Sequence, residues 1–440
     1  MTPMAQLLVL ADANSFYASC EQVFNPSLVD RPVVVLSNND GCVVARSPKA
    51  KALGISNGTP WFQIQEQAME DGVVARSSNY ELYASMSARM MSIMGRFLPG
   101  QEVYSIDECF LRSPWGPNKT MEVCARMREA VLTGLGIPVS VGIAPTKTLA
   151  KIANHWAKDH PASRGVTLWS QTEERYGDQA LASVPIEEVW GVGRRLTRRL
   201  QALGLVNALD LRQADRSMIR HRFSITLERT VLELRGIDCI EDQPDANEGK
   251  RSGQIICSRM FSQPITGFDQ MSQALSVYSQ KACRRLRHQG SLCCQVSAFC
   301  ASSPYNTARD YISLHRTLPL PNPSDDPLII CKAACDALRD PFDPRASYIR
   351  AGVVLVGLVD KGDYQTLPGL EADQDRHGLG MVLDEVNHRF GAARVGIGYG
   401  GIRGQGKGDE DTGASWTMRR ELLSPRSTTR WDEMAVVRAS

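Results

Sequence analysis

Two groups of carboxylates close short apolar segments. Asp12 ends Leu7-Leu8-Val9-Leu10-Ala11-Asp12, and Asp107 and Glu108 end Val103-Tyr104-Ser105-Ile106-Asp107-Glu108. Each segment reads as a strand, and pairing the two side by side would bring three carboxylates to one sheet edge. Carboxylates that close resist ionising together. Hard divalent cations remove the conflict, and oxygen ligands suit magnesium. Two such ions clamp the attacking and leaving oxygens of a phosphoryl transfer, so two-metal nucleotidyl transfer is the chemistry these residues suggest first. The plain alternative is a set of strand-end acids facing water.

Several elements must cooperate to position those acids. Residues 7–11 read as a buried strand, and Asn14 to Phe24 as a helix carrying Phe16, Tyr17 and Cys20 inward. Val33-Val34-Val35-Leu36 and Cys42-Val43-Val44-Ala45 are further strands, joined by the turn-rich Ser37-Asn38-Asn39-Asp40-Gly41. Helical patterns cover 46–53 and Tyr80 to Phe97, the latter amphipathic with core-facing methionines. An acidic strand over 103–111, a helix near 120–133, a strand over 138–143 and a helix from about 145 to 158 follow. Strand–helix–strand alternation around an antiparallel acidic pair suggests a ferredoxin-like α+β unit. The pattern changes near residue 170: 180–240 reads as short helices separated by glycines, without strands. A charged linker, roughly Glu241 to Gly253, leads to alternating strands and helices up to about 358. The last eighty residues, with the glycine-rich stretch 396–408, read as loosely folded or partner-dependent.

A chain of 440 residues is too long for one ordinary domain and implies three or four. Its 43% hydrophobic share supports true cores. No apolar run approaches the ~18 residues of a membrane span. The N-terminal apolar stretch has no basic leader and ends at Asp12, unlike a signal peptide. Twelve cysteines contain no C-x-x-C pair; Cys293 adjoins Cys294, and Cys331 and Cys335 stand one helical turn apart, neither a zinc spacing. Reduced, mostly buried thiols of a cytosolic protein are expected, with Cys109 a small apolar filler rather than a nucleophile.

The net charge of +2 hides local asymmetry. Residues 190–235 hold ten Arg or Lys against four acids, and residues 250–300 seven against one, each a difference of +6. Such blocks fit a phosphate backbone. In the first block Gly191-Val192-Gly193-Arg194-Arg195, followed by Leu196, Leu200, Leu203 and Gly204, reads as a helix–hairpin–helix. Its glycines would admit a phosphate to the backbone and the next helix N-terminus; a glycine turn between core helices is the alternative. In the second, Lys281, Arg284, Arg285 and Arg287 would share one helix, as a phosphate contact or a solvated face. Lys147, Lys151 and Lys158 lie near helical spacing and read first as solvated lysines, with a triphosphate contact as the alternative.

The string Asp12-Ala13-Asn14-Ser15-Phe16-Tyr17-Ala18-Ser19-Cys20-Glu21 resembles the first motif of the Y-family, or translesion, DNA polymerases. Ser105-Ile106-Asp107-Glu108 is similar to their second metal-binding motif, and Thr146-Lys147-Thr148-Leu149-Ala150-Lys151-Ile152-Ala153 to the third. Ser37 to Arg46, Ser77 to Tyr83, Val189 to Arg195 and Leu423-Ser424-Pro425-Arg426-Ser427-Thr428-Thr429-Arg430 narrow the resemblance to the UmuC type. It covers almost the whole chain.

The resemblance implies an α+β right-hand polymerase: a ferredoxin-like palm (1–24 and 84–170), small fingers (25–83) and a helical thumb with the helix–hairpin–helix (171–240). An α/β little finger (250–358) and a C-terminal extension (359–440) complete it. It implies Asp12, Asp107 and Glu108 as catalytic, metal-binding carboxylates, with the Ala13 carbonyl as an added ligand to two Mg2+ ions. Tyr17 matches the steric gate, a ring under the sugar that collides with a ribose 2′-OH. Phe16, Tyr17, Lys51 and Lys158 match positions that hold the incoming triphosphate. Pro48 stands where many relatives have a tyrosine touching that triphosphate. Gly191, Gly193, Arg194, Arg195, Lys281, Arg284 and Arg285 are the implied DNA contacts.

The implied activity is error-prone synthesis across DNA lesions in the SOS response, in the cytoplasm and on DNA. The implied partners are primer–template DNA, deoxynucleoside triphosphates, a UmuD′-like dimer, RecA and a sliding clamp. The nearest clamp-binding candidate is Gln365-Thr366-Leu367-Pro368-Gly369-Leu370, with Gln365, Leu367 and Leu370 as its anchors; it lacks an apolar residue after Gln and a terminal aromatic. A simple linker is the alternative. Fingers this short leave a spacious site that checks base-pair shape poorly, and no further acidic cluster suggests a proofreading exonuclease. A nucleotide cyclase would share the palm and metals, but no Gly-Gly-Asp-Glu hairpin is present and a cyclase needs no helix–hairpin–helix. A polymerase relative reduced to a scaffold would be expected to lose one of the three acids.

Overall fold

The computed structural model describes residues 7–242, 252–305, 310–364, 378–391, 394–398 and 419–434. They fall into two units, one of Met1–Ser37, Gly41–Asp245 and Leu422–Ser440, the other of Asn38–Asp40 and Ala246–Glu421.

In the first unit β1 (Leu7–Ala13) leads into α1 (Phe16–Phe24). Next come β2 (Val33–Leu36), β3 (Val43–Arg46), α2 (Pro48–Ala52), α3 (Trp61–Glu70) and β4 (Val74–Ser77). Here β2 is the centre of a three-stranded sheet, antiparallel to β3 and parallel to β4. Its four apolar residues are all buried, covered in part by Trp61 and Ala68 of α3. The Asn79 side chain accepts from the Leu82 N–H and so caps α4 (Tyr80–Met94). Met86, Met90, Met91 and Met94 of α4 face the core, as their periodicity predicts.

The remaining elements of this region are β5 (Glu102–Val103), β6 (Glu108–Ser113), α5 (Pro117–Leu135), β7 (Val139–Ala144), α6 (Lys147–Asp159) and β8 (Val166–Leu168). They build a five-stranded sheet of order β5-β6-β1-β7-β8. Strand β1 is antiparallel to both neighbours, and β7 and β8 are parallel. Both faces of the sheet are covered. Val9, Ala11, Cys109, Leu111 and Val141 share a core with residues of α4 and α5. Leu10, Phe110 and Ala144 share another with α6 and the helices that follow. Strand alternation therefore puts Asp12 and Glu108 on the α6 side.

The acidic strand expected over 103–111 is two strands. β5 stops at Val103, and the N–H groups of Tyr104 and Ser105 both donate to the Glu108 carbonyl at 3.1 Å. Within the turn the Ser105 Oγ accepts from the Asp107 N–H and donates to its carboxylate, a local bonding pattern that competes with a sheet ladder. Asp107 thus lies in a turn, and Glu108 opens β6.

After β8 the chain is helical: α7 (Trp169–Tyr176), α8 (Gln179–Ala182), α9 (Arg194–Gln201), α10 (Ala208–Gln213), α11 (Arg216–Arg222) and α12 (Ile225–Leu234). Leu200, Leu211, Ile219 and Leu227 join the core beneath α6. In the second unit an antiparallel sheet of order β11-β10-β12-β9 is formed by β9 (Ile255–Ile265), β10 (Ser291–Ser302), β11 (Ser313–Ser324) and β12 (Tyr348–Asp360). It shares its core with α13 (Phe268–His288) and α14 (Pro327–Arg339). A further helix, α15 (Leu379–Phe390), is tied to α13 by an Arg287–Asp384 ion pair at 2.7 Å. All twelve thiols are unpaired and seven are buried, as expected of the composition. Burial pushes the Cys109 thiol up to about 12, consistent with an inert filler. Among the described residues no helix is long and apolar enough to cross a membrane.

Helix α6 lies against β7 because Gly142 has no side chain. A Cβ there would meet the Ala150 carbonyl oxygen at 2.1 Å and the Asn154 nitrogen at 2.4 Å, both helix backbone. Gly142→Ala is predicted to push α6 from the sheet and lower stability by about 2 kcal/mol or more, read from chemical denaturation midpoints. An unchanged midpoint would show that the packing tolerates the methyl group.

Candidate active site

Asp12 and Glu108 are partners in the β1–β6 register, and the Ala13 N–H donates to the Asp107 carbonyl at 2.9 Å. Sheet pairing thus brings the three acids together from distant parts of the chain. Two lysines of α6 face them. Lys158 Nζ donates to Asp12 Oδ1 at 2.6 Å, and Lys151 Nζ to both Glu108 oxygens at 2.9 and 3.0 Å. Their spacing of two helical turns places them on one face. A cavity of about 310 Å³ opens here, lined by Asp12, Glu108, Lys151, Asn154, His155 and Lys158 among others.

Lys151 is also boxed by aromatic rings, 4.6 Å from the centre of Tyr104 and 5.3 Å from that of Trp190. The Trp190 indole N–H donates to the Tyr104 hydroxyl at 3.1 Å. Lys147, one turn earlier, is buried in ion pairs with Glu102 at 2.6 Å and Asp242 at 3.0 Å. The reading of these three as solvated lysines is therefore corrected: one is structural and two face the acids. Their spacing could have said so, because Lys147, Lys151 and Lys158 share the helix face turned to the sheet. Trp190, within the Val189 to Arg195 motif, carries no site role in the sequence alone, yet its ring helps to fix Lys151.

Burial is the main force pushing Asp12 and Glu108 above the usual carboxylate range. Lys158 opposes it at Asp12 and Lys151 at Glu108, while the neighbouring acids add to it. Among the described residues no three His, Cys, Asp or Glu side chains are gathered so that they could hold an ion as they stand. Each acid is turned to its own partner, Asp107 to the Ser105 hydroxyl at 2.5 Å. The donor set nonetheless fits magnesium: hard oxygens, partly buried, mutually repelling, with ammonium groups already drawn to two of them.

Beyond Asp12 the backbone turns sharply, with Ser15 in the left-handed region at φ 49°. Among the described residues no side chain caps α1, which leaves its first N–H groups to an anion. Phe16 is buried in the core, and Tyr17 is half-buried beside it. The Tyr17 ring stacks on Tyr83 at 4.4 Å and 15°, with Tyr80 edge-on at 6.3 Å. Lys51 of α2 is close enough to feel Asp12 and Lys158; partial burial, then Arg46 and Lys158, push its pKa down.

Gly191, with φ 86°, and Gly193 precede α9 and leave its N-terminus without a side-chain cap, while Arg194 and Arg195 are exposed. The element before this hairpin is a single 3₁₀ turn, Ile186–Glu188. On α13, Lys281, Arg284 and Arg285 are exposed, whereas Arg287 is drawn inward to Asp384 and the Asp325 carbonyl. Gln365, Leu367 and Leu370 lie outside the described residues.

Residues 11–155 match the impB/mucB/samB family, residues 252–367 that family's C-terminal domain, and residues 377–437 a domain of unknown function. The chain is 42% identical to Protein ImpB of Salmonella typhimurium, over 98% of this chain and 100% of that one. It is 40% identical to Protein UmuC of Salmonella typhimurium over the same shares. Identity to DNA polymerase IV of Pelotomaculum thermopropionicum is 29%, over 87% of this chain and 92% of that one. The fold is similar to a solved Y-family DNA polymerase chimera of Dbh and Dpo4, with a TM-score of 0.62 and 22% identity over 80% of this chain and 99% of that one. With the acids at the β1–β6 pairing in view, these matches establish that the chain belongs to the impB/mucB/samB family, the UmuC-type branch of the Y-family DNA polymerases.

Proposed function

We propose that the cavity between β1, β6 and α6 transfers a deoxynucleotide, directed by a template, to a primer 3′-OH, and that it does so across damaged bases. The observation that carries this reading is the registered pair of Asp12 and Glu108, with Asp107 beside them and Lys151 and Lys158 opposite. Asp12, Asp107, Glu108 and the Ala13 carbonyl are the groups to hold two Mg2+ ions. Those ions, when bound, supply charge stabilisation to the attacking hydroxyl and the departing pyrophosphate.

The chain's own residues do the rest. Lys158, released from Asp12, turns with Lys51 to the incoming triphosphate, whose other oxygens meet the uncapped N–H groups at Phe16 and Tyr17. Phe16 contributes only backbone there, its ring being committed to the core. Lys151, fixed by Tyr104 and Trp190, keeps Glu108 oriented. Tyr17 acts as the ring that blocks a ribose 2′-OH. The fingers helices α2 and α3 have only five and ten residues, too little to grip a nascent base pair closely. That supports tolerance of lesions and low fidelity. Gly191, Gly193, Arg194 and Arg195 in one basic block, and Lys281, Arg284 and Arg285 in the other, suit phosphate contacts in primer–template DNA. A UmuD′-like dimer, RecA and a sliding clamp are the proposed partners, with SOS mutagenesis in the cytoplasm as the setting.

Asp107→Asn is predicted to abolish Mg2+-dependent primer extension, by on the order of a thousandfold or more, while DNA binding stays within about twofold. Parental extension by that variant would refute the site. Tyr17→Ala should lower the preference for deoxynucleotides over ribonucleotides by on the order of a hundredfold, read as a ratio of kcat/KM values. An unchanged ratio would remove Tyr17 from sugar selection.

Acidity offers an independent check. Asp12 and Glu108 take up protons at higher pH than free carboxylates do, so kcat/KM should begin to fall on the acid side above the ordinary carboxylate range. Lys158 is the strongest group pulling the Asp12 pKa down. Lys158→Ala should therefore move that acid limb to higher pH, besides raising the KM for the nucleotide. A limb that stays put or moves to lower pH would contradict the pairing.

A further inference from the structure

Behind the stacked rings of Tyr17 and Tyr83 sits a buried acid that takes no part in the chemistry above. Glu21, on α1, is 2% exposed. Its Oε1 accepts from the Tyr83 hydroxyl at 2.7 Å and from the Ser424 hydroxyl at 2.9 Å. Arg76 Nε stands 4.0 Å from its other oxygen. Ser424 comes from the far end of the chain, in a segment that the first unit incorporates.

That segment is held along its length. The Ser77 N–H donates to the Leu422 carbonyl at 3.0 Å, and the Leu422 N–H to the Ser77 hydroxyl at 2.9 Å. The Asn79 amide, which caps α4 through its oxygen, donates through its nitrogen to the Ser424 carbonyl at 3.0 Å and hydroxyl at 2.9 Å. Arg426, 8% exposed, closes the segment on itself through Glu433, at 2.6 Å from Nη2 to Oε1. One asparagine therefore ties the tail to the start of the helix that carries Tyr83, and one serine ties it to the acid that fixes the Tyr83 hydroxyl.

We propose that Leu422–Arg430 is a strap that positions the Tyr17 ring through Ser424, Glu21 and Tyr83, so that discrimination between sugars depends on the docked C-terminal segment. This rests on the reading of Tyr17 as the sugar-selecting ring. Tyr17 meets Tyr83 face to face, and the Tyr83 hydroxyl donates to Glu21 at 2.7 Å. A ring that selects by collision must resist being pushed aside, and resistance comes from what stands behind it. Ser424, Glu21 and Asn79 are positioning residues here.

The test uses the full chain on a primed template, comparing kcat/KM for a deoxynucleoside triphosphate with that for the matching ribonucleotide. Ser424→Asp sets a second carboxylate against buried Glu21 and should expel the strap. It is predicted to lower the deoxy-to-ribo ratio roughly tenfold, with deoxynucleotide insertion within about threefold of the parent. Ser424→Ala, which adds no charge, should shift the ratio the same way by a smaller factor and covers any failure of Ser424→Asp to fold. Combined with Tyr17→Ala, Ser424→Asp should lower the ratio no further, because both act on one ring. If Tyr17→Ala lowers the ratio while both Ser424 variants keep the parental value, the gate stands and the strap is overturned. Multiplying effects in the double variant would also overturn it, by showing that the tail acts elsewhere. If Tyr17→Ala itself leaves the ratio unchanged, the gate reading falls and the strap with it.

Discussion

The architecture of the active site depends on one constraint: carboxylates placed side by side at the end of a doubly covered sheet must be answered by cations. Asp12 and Glu108 are neighbours because β1 and β6 pair in register, and that register follows from apolar strands with both faces buried. The same alternation turns the acids toward α6, where Lys151 and Lys158 recur at two-turn spacing and reach them. Without those ammonium groups the burial that raises both acids' pKa would leave them protonated more readily. The arrangement fits the proposed catalysis, in which a lysine that holds a carboxylate ionised yields it to a divalent ion and then serves the phosphate.

Position is supplied by parts that never touch the chemistry. Gly142 lets α6 approach the sheet, and Glu233, buried and accepting from the Thr148 N–H at 3.0 Å, sits against the positive end of that helix. The Lys147–Glu102 pair ties the start of α6 to β5, and the rings of Tyr104 and Trp190 fix Lys151. Tyr17 is held from the other direction, by Tyr83, Glu21 and the segment around Ser424. On the proposed reading, selectivity and catalysis draw on different supports.

Much of this was legible in the residues. The strands read at 7–11, 33–36 and 138–143 and the methionine-lined helix over Tyr80 to Phe97 announced themselves by their apolar pattern, and the short helices of 180–240 by their glycines. The turn at 104–107 did not, because Val103 to Leu111 has the apolar content of one strand; the local bonds of Ser105 broke it. Lys147 and Lys151 were misread because their shared helix face does not by itself say which acids, in distant strands, they meet. The docking of Leu422–Arg430 was hidden for a similar reason. Its anchors, Ser77, Asn79 and Glu21, are ordinary polar residues far away in the chain, and only the fold brings them together.

The central claim is that Asp12, Asp107 and Glu108 form one cation site. Titration of Mn2+ into the full chain assembled with primer–template DNA and a non-hydrolysable deoxynucleotide, followed by electron paramagnetic resonance, tests it most directly. The account predicts two tightly held ions per chain, and a loss of tight binding in Asp12→Asn and in Glu108→Gln. Binding that both variants keep at the parental stoichiometry and affinity would contradict it.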